Sequence, residues 1–490
     1  MNSTSVSNQA KWWILSVTSL GTLLSALNFS TLIIALPDLI TGLHTTVLQA
    51  MWVMLSYMVA QTIFVLIAGS LADRFGRKRL FIWGMILFTI VSLASGFAAN
   101  STILIIMRVL QGIGGAMVMA NSTAIVADAF PSKQLGQALG VNIMVAAVGQ
   151  IIGPVLGGWL TTAYGWEWTF WFNVPFGLVA VIWGIRIMGF TDVKVSTLKK
   201  RFDVWGMVTY MISIFGLLLA LTWGPLQSWS SPVVWISAIA FILGFPLFLR
   251  IEKKHSNPLL HIPLFFNRIF TLGVVSATLN AIARMSVMFM LIFYFQGALS
   301  YDALDAGILT IPLAIGMFVF SPLSGWMGDK YGETLPATLG LGVTLIGLIG
   351  LALDTSLSTP YWQLALWMSL VGIGAGLFNS PNSSSVMNAA GVKFRGEASG
   401  IRSLTVNMGM MLSIAFTMPL ITHSMPREAM LAIFSGTKVG LDDAGSTLHS
   451  FITGLHVVFW VMSALLVVAT ILSFMRAGNK KAEAATHITN

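Results

Sequence analysis

Long apolar stretches alternate with short polar ones along almost the whole chain. A bilayer core about 30 Å thick takes roughly 20 apolar residues of helix. Fourteen stretches meet that length, near 12–36, 50–71, 80–99, 102–127, 137–161, 168–188, 205–224, 232–250, 270–298, 304–327, 334–353, 361–384, 397–421 and 452–476. Each predicts a membrane-spanning helix. Lys and Arg gather in alternate connections: R-F-G-R-K-R at 74–79, K-K-R at 199–201, E-K-K at 252–254 and K-F-R at 393–395. The connections of opposite parity carry Arg427 and Lys438, both in the long 422–451 loop, and almost nothing else. Positive residues stay on the cytoplasmic side, which places both termini in the cytoplasm and the protein in the cell membrane.

The pattern also repeats. G-S-L-A-D-R-F-G-R-K-R (69–79) returns as G-W-M-G-D-K-Y-G-E (325–333), with Asp73 matching Asp329. G-I-G at 112–114 returns at 372–374, and G-Q-A-L-G (136–140) returns as G-E-A-S-G (396–400). The near-constant offset maps spans 1–6 onto spans 9–14 and leaves spans 7 and 8 as an insert. The expected organisation is a six-helix bundle at 1–190, a two-helix insert with its linkers at 191–268, and a second six-helix bundle at 269–490. Repeated halves around a central cavity are a transporter architecture, with substrate held near the midplane.

Composition narrows the class further. Of 490 residues, 56% are hydrophobic and 9% charged, and the mean hydropathy is +0.85, too apolar for a soluble chain of this length. The net charge of +9 is spread over loops, so it reads as topology and contact with anionic lipid, not as a nucleic-acid surface. There is no cysteine, which excludes disulfides and thiolate metal sites. The first stretch is too long for a cleaved signal sequence, with Asn28 and Pro37 following. No G-x-x-x-x-G-K-[ST] loop is present, which argues against ATP-driven transport. No nucleophile–base constellation stands out, so the expectation is a non-enzyme without cofactor or metal.

The chemistry lies in polar residues at membrane depth, where charge is costly and usually functional. Arg284 falls about fourteen residues into span 9, near the midplane at 1.5 Å per residue. Arg108 falls about six residues into span 4. It is either a substrate contact or a donor to carbonyls of a neighbouring helix. All seventeen Asp and Glu fall at span ends or in loops: Asp38, Asp302, Asp305 and Asp354 toward the outside, and Asp73, Asp128, Asp329 and Glu397 toward the inside. Two buried cations without a buried anion favour an anionic or zwitterionic substrate, with arginine as a bidentate partner. Gln61, Asn121, Asn142, Gln150, Asn379, Asn382 and Asn407 offer a polar lining, and Phe29, Trp52, Tyr57, Tyr294 and Phe295 offer aromatic walls or ordinary packing. The 27 Met serve as adaptable lining or as filler. His456 is the one residue at moderate depth that titrates near neutrality, with an interfacial role as the alternative. Asp302 and Asp305 are weaker candidates for proton capture.

Together these residues resemble the major facilitator superfamily, and within it the fourteen-helix drug:proton antiporters, over nearly the whole chain. The loop 69–79 matches the superfamily's cytoplasmic signature, R-V-L-Q-G-I-G-G-A (108–116) its conserved-arginine motif, and G-Q-I-I-G-P-V-L-G-G (149–158) its antiporter motif. The resemblance implies a cytoplasmic gate of Gly69, Asp73, Gly76, Arg77, Asp128 and Asp329, in which Asp73 and Arg77 latch onto Asp128. It implies a tight helix seam at Gly149, Gly153, Pro154, Gly157 and Gly158. In the first span, L-N-F-S…A-L-P (27–37) departs from the family's pattern: Asn28 stands where the family has an aspartate, Ser30 where it has a threonine, and Ile33 where it has an asparagine. Asn28 keeps hydrogen bonding but cannot titrate, which puts proton coupling in doubt.

The reading is therefore an all-α integral membrane protein of the major-facilitator fold, two six-helix bundles plus two inserted helices. It is a secondary transporter exporting drugs or other small amphipathic compounds by alternating access, functional as a monomer, with protons as the candidate coupling ion. Expected substrate contacts are Asn28, Gln61, Arg108, Asn121, Arg284, Asn379 and Asn407. The rivals are a uniporter or differently coupled carrier of an organic anion, and a receptor or sensor that keeps the fold without turnover. The intact gate and seam motifs argue against the last.

Overall fold

The computed structural model describes residues 8–35, 39–40, 42–45, 47–188, 203–226, 228–255, 259–301, 303–422 and 444–476. Its long elements are all helices: α1 (Asn8–Ile34), α2 (Val47–Phe75), α3 (Arg77–Ser95), α4 (Ser101–Ala129), α5 (Ser132–Tyr164), α6 (Asn173–Met188), α7 (Val204–Leu226), α8 (Pro232–Lys254), α9 (Arg268–Phe293), α10 (Ile311–Tyr331), α11 (Thr334–Asp354), α12 (Tyr361–Ala390), α13 (Arg395–Thr422) and α14 (Ala444–Phe474). Twelve segments among the described residues are long and apolar enough to cross a membrane. Local chemistry sets several starts. Asn100 caps α4 by accepting from Ile103 N–H, Asn267 caps α9 by accepting from Ile269 and Phe270 N–H, and Ser231 caps α8 with Pro232 in its first turn. The α2–α3 and α10–α11 turns both pass through a glycine of positive φ, Gly76 at 93° and Gly332 at 91°. The sequence repeat is thus a repeat of one turn that side chains disfavour.

Three boundaries differ from expectation. The tenth stretch divides into a short helix, Ala303–Leu309, and α10, because Pro312 has no N–H to give and disfavours helical backbone before it. The sixth stretch opens with a separate turn, Trp168–Trp171, before α6, and the ninth ends in a π turn over Tyr294–Ala298. The 199–201 basic run and the apolar 430–434 segment lie outside the described residues.

In α1–α6, α1 packs on α5, and α2 and α3 pack on α4; in α9–α14, α9 packs on α13 and α14, and α10 and α11 pack on α12. The two groups meet along two seams, α2 and α4 with α13, and α5 with α10 and α12. Small residues make these approaches possible. A Cβ on Gly140 would stand 2.4 Å from Ser321 O, and one on Gly325 would stand 2.1 Å from Gly136 O. The inserted α7 lies against α2 and α13, and α8 packs on α7. Trp235, Ile236, Ile242 and Leu243 of α8 are 63–68% exposed, an outward apolar surface suited to lipid.

Candidate functional site

Polar side chains act at three levels between the helix groups. The first is the end of the molecule that carries the Gly76 and Gly332 turns, called the basic end below. There Arg77 donates to Asp128 Oδ2 at 2.5 Å, and Arg395 at the start of α13 donates to Ala127 O and lies 3.8 Å from Asp128 Oδ1. Asp329 accepts from Gly136 and Gln137 N–H, each at 2.9 Å. Both amides lie near the N-terminus of α5, where a carboxylate is favoured by the helix dipole. Ser380 donates to Gly136 O at 2.6 Å, and the Gly69 Cα faces Gly396 O across the other seam. The two groups are thus bolted together at the basic end. The gate residues Gly69, Gly76, Arg77, Asp128 and Asp329 all lie in this layer, while the Asp73 side chain lies outside the described residues.

The second level is the α1–α5 seam. Gly149, Gly153 and Gly157 all face α1. A Cβ on Gly153 would fall 1.8 Å from Ser30 Oγ, and one on Gly157 would fall 2.6 Å from Thr31 O. Ser30 donates to Gly149 O at 3.1 Å. Gly158 is half-buried, and the Pro154 side chain lies outside the described residues.

The third level is the buried polar interior. Arg108 is fully enclosed. Its Nε donates to Val53 O at 3.1 Å, and one guanidinium nitrogen donates to Asn28 Oδ1 at 2.6 Å and Gln111 Oε1 at 2.5 Å. Gln111 in turn donates to Ser92 Oγ at 2.7 Å. The guanidinium carbon lies 4.4 Å from the Tyr57 ring centroid, a cation–π geometry. Of the two expectations for Arg108, this geometry gives the donor to a neighbouring carbonyl. Arg108 and Asn28 form a brace joining α1, α2 and α4, closed to ligand in this conformation. Asn28 supplies Arg108 with a neutral acceptor.

Arg284 is different. It is 9% exposed, and among the described residues its one contact within hydrogen-bonding range is Met317 Sδ at 4.0 Å, a weak acceptor. Met317 packs with Ala147 and Ile143 of α5 and Ala375 of α12, so Arg284 reaches to where the two helix groups meet. The sequence reasoning missed a companion, Arg402, roughly two turns into α13. Its Nε is buried without a partner, and among the described residues its side chain forms no hydrogen bond or ion pair. Two guanidinium groups thus stand without anions on α9 and α13, helices that pack together through Gly409 on Thr278 and through the Ser286–Ser413 hydroxyl pair.

The remaining expected contacts are scattered. Gln61 donates to Tyr57 Oη at 3.1 Å, and Asn121 donates to Met117 O at 2.7 Å. The Oδ1 of Asn121 and the Nδ2 of Asn407 are buried and unpartnered. Asn379 is half-buried. Asn142 donates to Ser122 Oγ, and Asn382 accepts from Arg476 at 2.7 Å, so both act as packing links. His456 bonds Thr355 O through Nε2 at 2.6 Å and ties α14 to the turn after α11. Asp354 accepts from Gln363 and Trp367 in the same layer. The Gln150 side chain and Asp302 lie outside the described residues.

Comparison with known proteins agrees with this architecture. Residues 18–275, 196–414 and 273–488 each match the Major Facilitator Superfamily. The chain is 30% identical over 406 residues to the riboflavin transporter RibZ of Clostridioides difficile, covering 83% of this chain and 87% of that protein. It is 27% identical over 496 residues to the tetracenomycin C resistance and export protein of Streptomyces glaucescens, covering 95% and 91%. The multidrug resistance protein Stp of Mycobacterium tuberculosis is 28% identical over 409 residues, covering 83% and 75%. Among solved structures, the human organic anion transporter MFSD10 (TETRAN) shares the fold, with a TM-score of 0.64 at 15% identity over 94% of this chain and 99% of that one. With the fold, the paired seams and the motif residues in place, the chain belongs to the Major Facilitator Superfamily and is a multi-pass membrane transporter of small molecules, not an enzyme.

Proposed function

We propose that this transporter exports small amphipathic compounds carrying a negative charge, by alternating access between the α1–α6 and α9–α14 bundles. The observation that carries the charge assignment is the pair of unanswered guanidinium groups, Arg284 and Arg402. A buried cation without a partner is several kcal/mol less stable than a paired one, on the order of 3–5 when the partner is removed. An anionic cargo would supply that partner, and arginine offers it a two-pronged contact. The Asn28–Arg108 brace supports the same reading, since it leaves no titrating carboxylate beside the cation. The direction follows the relatives named for export and multidrug resistance. The basic end is read as cytoplasmic. Its bolts, Arg77–Asp128 and Asp329 on the α5 start, would hold that side shut in the conformation described and break in the alternate one.

The test is ligand binding to the purified protein followed by flux from liposomes. A carboxylated aromatic dye should quench tryptophan fluorescence, leave loaded vesicles only when protein is present, and lose both effects in Arg284→Ala. Tight binding of a lipophilic cation such as tetraphenylphosphonium, with the carboxylated dye excluded, would sink the charge assignment. Binding of the dye without flux would sink the transport mechanism and favour a sensor.

A further inference from the structure

Among the described residues the buried carboxylates are Asp203, Glu252 and Glu397, and the first two stand together at the foot of the inserted helices. Asp203 caps α7: its Oδ1 accepts from Gly206 N–H at 2.7 Å. Glu252, in the last turn of α8, accepts from Leu260 N–H at 3.1 Å through Oε2. The residues are 5% and 2% exposed. The other oxygen of each, Asp203 Oδ2 and Glu252 Oε1, is buried with no hydrogen-bond partner. Both oxygens press on one glycine, at 2.4 and 2.8 Å from where a Cβ on Gly206 would sit. Two bare carboxylate oxygens cannot be stable side by side out of water. Two oxygens are too few to replace the six to eight ligands a hard cation of the calcium class takes, and among the described residues no group of three or more acidic, His or Cys side chains is placed to hold a metal.

We infer that Asp203 and Glu252 form a proton-binding site, holding one proton between Glu252 Oε1 and Asp203 Oδ2. The proton comes from water, resides on one carboxyl and is donated to the other carboxylate, so the pair carries a single negative charge.

Its position gives the proton something to control. Leu260 N–H is held by Glu252 of α8, and the next amide, His261 N–H, is held by Glu397 of α13. The His261 ring stacks on Phe394 at 4.4 Å. Residues 260–261 are therefore a strap between the insert and the helix that forms one of the two inter-bundle seams. Among the described residues the charged and titratable groups around the pair are few. His255 Nδ1 lies 3.8 Å from Asp203 Oδ2, Lys253 and Lys254 follow Glu252 on α8, and Glu397 and His261 stand across the strap. Arg395 of α13 is engaged with Ala127 and Asp128, and Arg402 lies further along α13. Swinging α13 away from α2 would pull the strap and open the pair to water, which would release the proton.

Infrared spectroscopy of the full-length protein in lipid, titrated with pH, tests the site without reference to any cargo, so its failure is separable from failure of the transport reading. The expected result is a protonated-carboxyl C=O band at neutral pH that shifts in heavy water and disappears at alkaline pH. The band is lost in Glu252→Gln, whose amide can donate to Asp203 in the proton's place, and is retained in His255→Gln. Asp203→Asn gives the second reading if Glu252→Gln folds poorly. Because the folded state holds a proton that the unfolded chain releases at neutral pH, thermal stability falls as pH rises through the titration, and Glu252→Gln flattens that slope. A band unchanged in both variants, or absent from the wild type at neutral pH, overturns the assignment. Stabilisation by sodium, potassium or magnesium at constant ionic strength, with no carboxyl band, overturns it in favour of a metal cation.

Discussion

Replacing Arg284 with methionine separates a ligand-binding arginine from a structural one, because the two roles predict opposite signs. Arg284 is almost fully buried and, among the described residues, its one hydrogen-bonding contact is a thioether sulfur at 4.0 Å. Methionine keeps the length of the stem and suits the Met317 surroundings. Even a buried ion pair exchanged for well-packed apolar groups is often stabilising, by about 1–4 kcal/mol, and a charge with no partner has less to lose. A hydrogen bond from a guanidinium to a charged acceptor contributes about 1.5–3 kcal/mol, so its loss should weaken binding of an anion roughly ten- to 150-fold. Arg284→Met should therefore melt at a higher temperature than wild type while losing at least tenfold in affinity for a carboxylated dye. Arg284→Lys keeps the charge without the planar fork, so it should bind with intermediate affinity. Melting is followed by intrinsic tryptophan fluorescence, and binding by quenching on the same preparation. A variant that melts lower than wild type would show that Arg284 has a stabilising protein partner, and the case for an anionic cargo at this position would collapse. Unchanged affinity would remove Arg284 from the site.

Asn28→Ala removes the 2.6 Å acceptor from Arg108 and should destabilise by about 1.5–3 kcal/mol, visible as a lower melting temperature that Asn28→Asp restores. Gly157→Ala drives a Cβ to 2.6 and 2.9 Å from backbone atoms of Thr31 and should cost about 1–3 kcal/mol by overpacking. Gly342→Ala, with nothing within 4 Å, should instead gain roughly 0.8–1 kcal/mol of helix propensity, and equal melting of the two variants would contradict the seam geometry. Asp329→Ala frees both amides at the start of α5 and should weaken closure of the basic end by about 1–3 kcal/mol. The chain has no cysteine, so thiol labelling of a single Ser380→Cys, buried under that closure, reads the change as a roughly fivefold or greater rise in rate.

The helices were legible because a bilayer imposes one length on every apolar run, and the repeated turn was legible because its glycine occurs twice, at Gly76 and Gly332. Arg108 and Asn28 could each be singled out as polar at depth. Their pairing could not, since the partners lie 80 residues apart and only the packing of α1 on α4 joins them. Arg402 escaped notice because it stands near the basic end of its helix, where an arginine also serves topology. Whether such a residue is solvated or stranded depends on what packs over it. Asp203 and Glu252 read as ordinary loop-end acids for the same reason: their burial comes from α7 and α8 folding onto each other and onto the strap at 260–261. The break before α10 could have been read from Pro312.

The inserted pair also makes the molecule lopsided toward its solvent of lipid. One line of contact between the bundles, α2 with α13, lies beneath α7, with Trp52 and Trp223 touching across that cover at 5.8 Å. The opposite line, α5 with α10, has no such helix over it among the described residues, and Trp159, Phe318 and Leu323 stand exposed beside it. A greasy molecule dissolved in the membrane therefore meets a shuttered doorway on one flank and a bare one on the other. If cargo enters sideways from the bilayer, this flank is the expected route, and a bulky group attached along α5 should slow transport more than the same group on α8.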